Sequence, residues 1–191
     1  MDKPSTGPGD TAADKAPPSA LDREGDESGG DIDMRIARDG TWYYHGSPIA
    51  RKPLVRLFST VLRREGDGDY YLVTPVERCR IEVEDAPFIA VELTVAGEGA
   101  RQSLEFRTNL DDRVVADAAH PIRVSHDPVS DQPRPYVLVR AGLEALISRP
   151  VYYELVALGV EREVGGDYLY GVWSEANFFS LGRLDEREPA A

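Results

Sequence analysis

Cysteine and long apolar runs are nearly absent from this sequence, and each absence excludes a class of protein. The single cysteine, Cys79, excludes an intramolecular disulfide framework and a cysteine-rich zinc site. No apolar run reaches the roughly 18 residues that a membrane-spanning helix needs. Charged and proline-rich residues stand at the N-terminus where a signal peptide would have its apolar stretch. We therefore expect a cytoplasmic protein that does not cross a membrane.

The short motifs of common enzymes and metalloproteins are absent as well. The chain has no G-x-S-x-G nucleophile elbow and no phosphate-binding Walker loop. Its three histidines, His45, His120 and His126, lack the i, i+4 helical spacing of a zinc site. Cys79 lies on the apolar side of an alternating segment, which favours a buried and unreactive thiol. The sequence predicts no catalytic residues and no metal site, and it indicates no particular cofactor.

Charge is the next constraint, because acidic residues outnumber basic ones. The formal net charge is −12, so the molecule as a whole repels nucleic acid and anionic membranes, and neither is an expected partner. Residues 1–33 contain nine Asp or Glu and three Lys or Arg. Residues 1–31 are rich in Pro, Gly, Ser and Asp, so we expect a disordered acidic tail, with a docking arm as the alternative. Residues 186–191 are expected to be flexible.

Between these ends, apolar side chains recur at the spacings of strands and helices. Alternation predicts strands at residues 32–36, 41–45, 70–73, 78–83, 89–95, 103–108, 121–124, 136–140, 168–173 and 177–181. A stripe at i, i+3, i+4, i+7 and i+8 predicts an amphipathic helix and consists of Leu54, Leu57, Phe58, Val61 and Leu62. A second helix is expected near Pro150, with Ser148 as its cap.

An internal repeat relates the two helices. Shifted by 98 residues, segment 49–70 aligns with segment 147–168 without a gap, and eight of 22 positions are identical. About one or two identities would be expected by chance. Because Val61 corresponds to Gly159, the second helix is expected to have an earlier or looser end than the first. Gene duplication explains this match better than the alternative, two helices that are alike by accident.

The repeat predicts an α+β fold built from two helix-on-antiparallel-sheet units. We place the N-terminal unit at residues 32–86 and the C-terminal unit at residues 87–185. Clefts where two units meet are favoured positions for small ligands. A ligand site is therefore expected between the two units.

Five residues are the best candidates for contact with that ligand: Trp42, His45, Arg51, Arg140 and Arg149. Arg51 and Arg149 occupy equivalent positions at the two helix starts, where a guanidinium beside a helix N-terminus can bind phosphate or carboxylate. The alternative for these arginines is a structural ion pair with Asp or Glu. An aromatic residue in a strand, such as Trp42, is often part of the core, and His45 could equally be a surface histidine.

Several separate stretches, in order along the chain, resemble one bacterial family. They are residues 40–51 (GTWYYHGSPIAR), 72–77 (LVTPVE), 83–88 (VEDAPF), 106–109 (FRTN), 136–146 (YVLVRAGLEAL) and 173–182 (WSEANFFSLG). On these motifs the chain is similar, over about residues 34–182, to the family labelled domain of unknown function 1285. The resemblance implies an α+β fold with a duplicated motif and a C-terminal half loosely like a pleckstrin-homology domain. It also implies a nucleotide-like ligand between the halves and a signalling role, and it carries over no catalytic residues.

Three functions are open on this evidence. The first is a non-catalytic sensing or signalling module that binds a small anionic or nucleotide-like molecule between the repeats. The second is an adaptor, in which an exposed sheet edge or the acidic tail binds a protein partner. The third is a hydrolase or transferase with an unfamiliar site around His45. The sequence leaves the choice, the ligand and the oligomeric state undetermined.

Overall fold

The computed structural model describes residues 30–184, so the expectations for residues 186–191 and for most of tail residues 1–31 lie outside the described residues. At the end of the expected tail, Asp31 already belongs to a strand, so the disordered stretch was placed at least one residue too far. Within this range the chain forms fifteen strands, two α-helices and one short 3-10 helix. The strands are β1 (Asp31–Ile36), β2 (Trp42–Tyr44), β3 (Ser47–Pro48), β4 (Leu62–Arg64), β5 (Tyr70–Val73), β6 (Arg78–Val83), β7 (Phe88–Ala96), β8 (Ser103–Thr108), β9 (Arg113–Val115), β10 (Ile122–His126), β11 (Pro133–Arg140), β12 (Leu143–Ile147), β13 (Val160–Val164), β14 (Asp167–Ser174) and β15 (Asn177–Arg183). The α-helices are α1 (Lys52–Val61) and α2 (Arg149–Ala157). The described fold is therefore mainly β-sheet with two helices.

Two six-stranded sheets have the same strand order. The first runs β3-β2-β1-β6-β5-β4 and the second runs β9-β8-β7-β12-β11-β10. Each sheet consists of two antiparallel three-stranded meanders, joined where its first and last strands pair in parallel, β1 with β6 and β7 with β12. The sheets were expected to be antiparallel, and each six-stranded sheet departs from this at one parallel pair, which depends on a long connection that local strand patterns do not reveal.

The repeat found in the sequence is a helix followed by a three-stranded antiparallel meander. α1 precedes β4, β5 and β6, and α2 precedes β13, β14 and β15, which form a separate sheet. The hairpins differ by one residue, because Glu65 N–H donates to the Asp69 carbonyl at 3.0 Å around a three-residue turn, whereas only Gly165 and Gly166 connect β13 to β14. The two copies therefore share the order of their elements but differ in pairing register.

The buried face of α1 is rotated from the stripe expected from the sequence. Leu57, expected to be buried, is 61% exposed, whereas Val55 and Ser59 are buried. Val55, Phe58, Ser59 and Leu62 lie at i, i+3, i+4 and i+7, so they form a second stripe of the same period. Ser59 can occupy a buried position because its hydroxyl donates to the Arg56 carbonyl at 2.8 Å.

The second helix ends early, as its glycine predicted. α2 begins after Ser148 and ends at Ala157, which corresponds to a point two residues before the end of α1. Gly159 lies where a Cβ atom would come 2.2 Å from the Tyr170 ring. Tyr170 in turn donates its hydroxyl to the Val156 carbonyl at 2.8 Å, which ties the end of α2 to β14.

One continuous hydrophobic core links the sheets and both helices. Its largest fully buried side chains include Trp42, Phe88, Phe106 and Leu155. Trp42 stacks on Phe58 of α1 with ring centroids 6.3 Å apart. Neither α-helix in residues 30–184 is long and apolar enough to cross a bilayer.

Candidate functional site

Two of the five sequence-predicted site residues lie at the start of the first unit, in different surroundings. Trp42 is 1% exposed and belongs to the core, so its ring faces away from solvent. His45 is exposed in the turn between β2 and β3, with φ of +47°. Its Nδ1 atom lies 3.3 Å from the Asp33 carboxylate. The two residues differ in environment because Trp42 lies in β2 and faces the core, whereas His45 lies in the turn that follows β2.

The two repeated arginines are both exposed at helix starts. Arg51 precedes the first turn of α1, and Arg149 is the first residue of α2, where it donates to the Gln132 side chain at 2.9 Å. A proline follows in each first turn, Pro53 in α1 and Pro150 in α2. Proline has no N–H, so each helix start offers one donor fewer to an anion.

Arg140 lies where the two units meet. Its Nη1 atom is 3.1 Å from Asp112, and its Nη2 atom donates to the Ser59 carbonyl of α1 at 2.9 Å. The guanidinium also lies 5.0 Å from the centroid of the Phe88 ring. Lys52 of α1 adds a second link, because its Nζ atom is 2.9 Å from Asp111. The guanidinium of Arg140 is therefore engaged in joining α1 to the second unit.

We expect Arg140→Met to lower the free energy of unfolding by about 2 kcal/mol. The replacement keeps the aliphatic stem but leaves the Ser59 carbonyl and the Asp112 carboxylate without this donor. Partial exposure of both side chains limits the loss. Urea denaturation followed by circular dichroism measures it.

Arg149→Met is the matched control, because its guanidinium is exposed and makes one hydrogen bond to an exposed partner. This variant is expected to stay within about 0.5 kcal/mol of the parent protein. Equal losses in the two variants would contradict a structural role specific to Arg140.

A cavity of about 550 Å³ opens on the first sheet, between β1 and β6. We call it the β1–β6 cavity. It forms because β1 advances four residues, from Asp31 to Arg35, while β6 advances two, from Arg80 to Glu82. The two extra residues in β1 make the pairing irregular in the manner of a bulge, and such irregularities open gaps in a sheet and redirect side chains. The cavity lining consists of residues 31–35, Tyr43, Gly46, 68–70 and 80–83.

Carboxylates outnumber basic groups around the β1–β6 cavity. Asp31, Asp33, Asp69 and Glu82 line it with two arginines, Arg35 and Arg80. Both guanidiniums already have acidic partners, because Arg35 pairs with Glu84 and Arg80 lies 2.8 Å from Asp69. The potential inside the cavity therefore favours a positive group on a ligand.

Two tyrosines supply aromatic surface beside these charges. Tyr43 lies beneath Arg35, whose guanidinium carbon is 4.4 Å from the ring centroid. Tyr70 is half-buried, and this burial raises the pKa of its hydroxyl. The phenol therefore stays neutral at physiological pH and offers a hydrogen bond without adding charge.

None of the five sequence-predicted residues lines the β1–β6 cavity. His45 lies beside the cavity, because its Nδ1 atom is 3.3 Å from the carboxylate of the lining residue Asp33. The alternation of Asp33 and Arg35 with Met34 and Ile36 marks a strand with a charged face. That pattern could have drawn attention to this face, but the bulge depends on pairing with a strand far along the chain.

Cys79 is 8% exposed, and burial raises the pKa of its thiol to about 11. The thiolate, which is the reactive form, is therefore a minor species at neutral pH.

Among residues 30–184, no group of three or more His, Cys, Asp or Glu side chains is arranged to hold a metal ion.

Two family models and two solved structures relate this chain to the same protein family. The family model described as "Domain of unknown function (DUF1285), N-terminal domain" matches residues 21–86, and that described as "Protein of unknown function (DUF1285), C-terminal domain" matches residues 87–181. A crystal structure of a DUF1285 family protein from Silicibacter pomeroyi DSS-3 is 53% identical, covers 83% of this chain and 84% of that chain, and has a TM-score of 0.76. A second such structure, from Shewanella baltica OS155, is 25% identical over 66% of this chain and 91% of that chain, with a TM-score of 0.51. A search of curated proteins finds no match.

Proposed function

The chain belongs to the DUF1285 family, and we propose that it is a non-catalytic module that binds a small ligand in the β1–β6 cavity. The volume of the cavity carries this proposal, because about 550 Å³ lies within the range of small-molecule sites in proteins. The position of the cavity adds support. It lies at a bulge in a sheet held by a continuous core, so the surrounding groups are already positioned before a ligand arrives.

The ligand that fits this chemistry carries an ammonium or guanidinium group. Asp31, Asp33 and Glu82 face such a group, whereas the guanidiniums of the cavity are occupied by other carboxylates. A ligand that also carries an acidic group can compete for Arg80 by displacing Asp69. The proposal therefore covers cationic and zwitterionic small molecules.

A thermal-shift screen tests this proposal. The probes are putrescine and spermidine, each compared with its fully N-acetylated neutral counterpart, and arginine methyl ester, compared with N-acetylcitrulline methyl ester, which carries no charge. A ligand at a hundred times its Kd stabilises the folded state by about 2.7 kcal/mol, which corresponds to a rise in Tm of about 5 °C or more for a chain of this size. We expect at least one cationic probe to produce this rise and its neutral counterpart to produce none.

Two double variants locate the binding. Asp33→Asn with Glu82→Gln removes two carboxylates from the cavity and is expected to abolish the rise in Tm. Glu98→Gln with Glu154→Gln makes the same change in net charge at exposed positions outside the cavity and should leave the rise intact. Stabilisation by no cationic probe, or an equal loss in both double variants, would refute the proposal.

A second candidate is the small anionic or nucleotide-like ligand expected from the sequence. It is favoured by the exposure of Arg51 and Arg149 at corresponding helix starts. Inorganic phosphate and nucleotides in the same screen test it. Stabilisation by these anions that Arg51→Ala with Arg149→Ala abolishes would support this candidate over the first.

Other expectations from the sequence also stay predictions. They are the likeness of the C-terminal half to a pleckstrin-homology domain, the signalling role and the cytoplasmic location. The hypothesis of an enzymatic site around His45 likewise stays open to test, and the contacts of His45 with Asp33 and the Tyr44 ring are the groups that it would have to involve.

A further inference from the structure

The strand β13 lies at the edge of its sheet, and we propose that it binds an extended, positively charged segment of a partner protein by β-strand addition. This site is independent of the β1–β6 cavity. All five residues of β13 are exposed. β13 pairs only with β14, so its other edge is open. Strand addition uses such an edge, because the backbone of the new strand completes the hydrogen-bond ladder.

The two-residue turn determines which backbone groups β13 presents. In a hairpin of this kind the residues flanking the turn, Val164 and Asp167, form a hydrogen-bonded pair. The ladder continues without a register shift, so Val164, Arg162 and Val160 bond inward to β14. The N–H and C=O groups of Glu161 and Glu163 therefore point outward. These four groups are the ones available to an added strand.

The side chains of β13 determine the chemistry of the partner. Glu161 and Glu163 lie on one face, and a residue paired with either of them would have its side chain beside a carboxylate. Lysine or arginine is favoured at both of these positions, which are two residues apart. The overall charge of −12 also attracts a cationic partner from a distance.

The position between the two basic residues is expected to be apolar. Val160 and Val164, on the opposite face of β13, are 43% and 44% exposed. Arg162 lies between them, but its guanidinium is drawn over the sheet, 4.7 Å from the centroid of the Trp173 ring. A side chain placed opposite Arg162 would therefore pack diagonally against both valines. The partner motif is basic, apolar, basic.

Charge argues against the two occupants that the chain itself could provide. Two copies of β13 could pair antiparallel about a two-fold axis. If that axis passes beside residue 161, 162 or 163, the sequence Val-Glu-Arg-Glu-Val places a glutamate directly opposite a glutamate. Like charges directly opposite destabilise a strand pair. Residues 1–33 are acidic as well, so the N-terminal segment is repelled by Glu161 and Glu163. A cationic segment from another protein avoids both conflicts.

Fluorescence anisotropy with defined peptides tests the proposal on the full chain. The probe is a short fluorescein-labelled peptide of alternating lysine and valine, and the comparison peptide alternates glutamate and valine. We expect the lysine peptide to bind and the glutamate peptide not to bind. N-methylation of every second residue of the lysine peptide, on the edge that faces β13, is expected to abolish binding because it removes the backbone donors.

Three variants separate strand addition from general charge attraction. Glu161→Lys with Glu163→Lys should weaken binding of the lysine peptide by about tenfold and should allow the glutamate peptide to bind. Glu98→Lys with Glu154→Lys changes net charge equally at exposed positions and should leave both results unchanged. Glu163→Pro removes one outward N–H and leaves the hydrogen bonds between β13 and β14 intact. The variant should therefore fold, and its binding of the lysine peptide should be weaker.

Four outcomes would overturn the proposal. They are no binding of the lysine peptide, equal effects of the two charge-changing pairs, full binding by folded Glu163→Pro, and a concentration-dependent dimer in sedimentation that Glu163→Pro abolishes. The last result would show that a second copy occupies the edge. Circular dichroism confirms the fold of each variant before it is used.

Discussion

Trp42→Ala is expected to lower the free energy of unfolding by about 4 kcal/mol, which is the largest loss that we anticipate from a single truncation. Trp42 is 1% exposed and stacks on Phe58, so the truncation leaves a cavity beneath α1. The surrounding sheet cannot collapse fully into that cavity, because β2 is held by pairing with β1 and β3. Urea denaturation followed by far-ultraviolet circular dichroism measures the loss.

Trp42→Phe is the matched control for this prediction. The indole Nε1 of Trp42 is the one buried side-chain N or O atom in residues 30–184 without a hydrogen-bond partner. Phenylalanine removes this unpaired donor and keeps most of the ring, so we expect a loss of about 1 kcal/mol or less. A small loss in Trp42→Ala would contradict the core position. Normal stability in Trp42→Phe, together with lost ligand binding, would instead support Trp42 as the ligand-contacting residue expected from the sequence.

Gly171→Ala is expected to cost about 3 kcal/mol, because the site has no room for a methyl group. A Cβ atom at Gly171 would lie 2.3 Å from the Phe179 carbonyl oxygen and 2.6 Å from the Phe178 ring. The ring could move, but the carbonyl belongs to the backbone of β15. The register between β14 and β15 shifts beside Gly171, so the added atom would disturb the pairing at its irregular point.

Gly182→Ala serves as the control in the same sheet. Nothing lies within 4 Å of a Cβ atom at Gly182, so we expect a change within about 0.5 kcal/mol. The two substitutions add the same atom to paired strands of one sheet. Similar losses of stability in thermal or urea denaturation would show that the loss comes from replacing any glycine in these strands. The close contact at Gly171 would then not explain the loss.

Strands with a strict apolar alternation were the easiest part of the fold to predict. β1 and β6 each have a buried and a charged face, and their bounds match the sequence pattern closely. Alternation was not always recognised, because β12 was not predicted although it buries every second residue. β13 also escaped prediction, because its two valines flank three consecutive charged residues and nothing in it indicates burial. It forms a strand because the Gly165-Gly166 turn folds it back onto β14.

The pairing of distant strands and the candidate site were the least predictable features. Parallel pairing of β1 with β6 is a contact between the two ends of one unit, and no local pattern encodes it. The β1–β6 cavity results from the mismatch in that pairing, so it was inaccessible to sequence reasoning for the same reason. Arg140 was predicted to contact a ligand, and its partners in the structure, Asp112 and the Ser59 carbonyl, are brought to it only by the tertiary fold.

The shared order of the two six-stranded sheets determines when each can be completed during synthesis. In each six-stranded sheet, the strands that come first and last along the chain pair with each other at the centre of the sheet. The centre of the first sheet therefore cannot form until β6 has left the ribosome, and the centre of the second sheet cannot form until β12 has done so. The local hairpins form within microseconds, whereas this long-range closure is the slow step. A nascent chain halted before β6 would present β1 and β5 as open edges, which are the sites where we expect chaperones to bind.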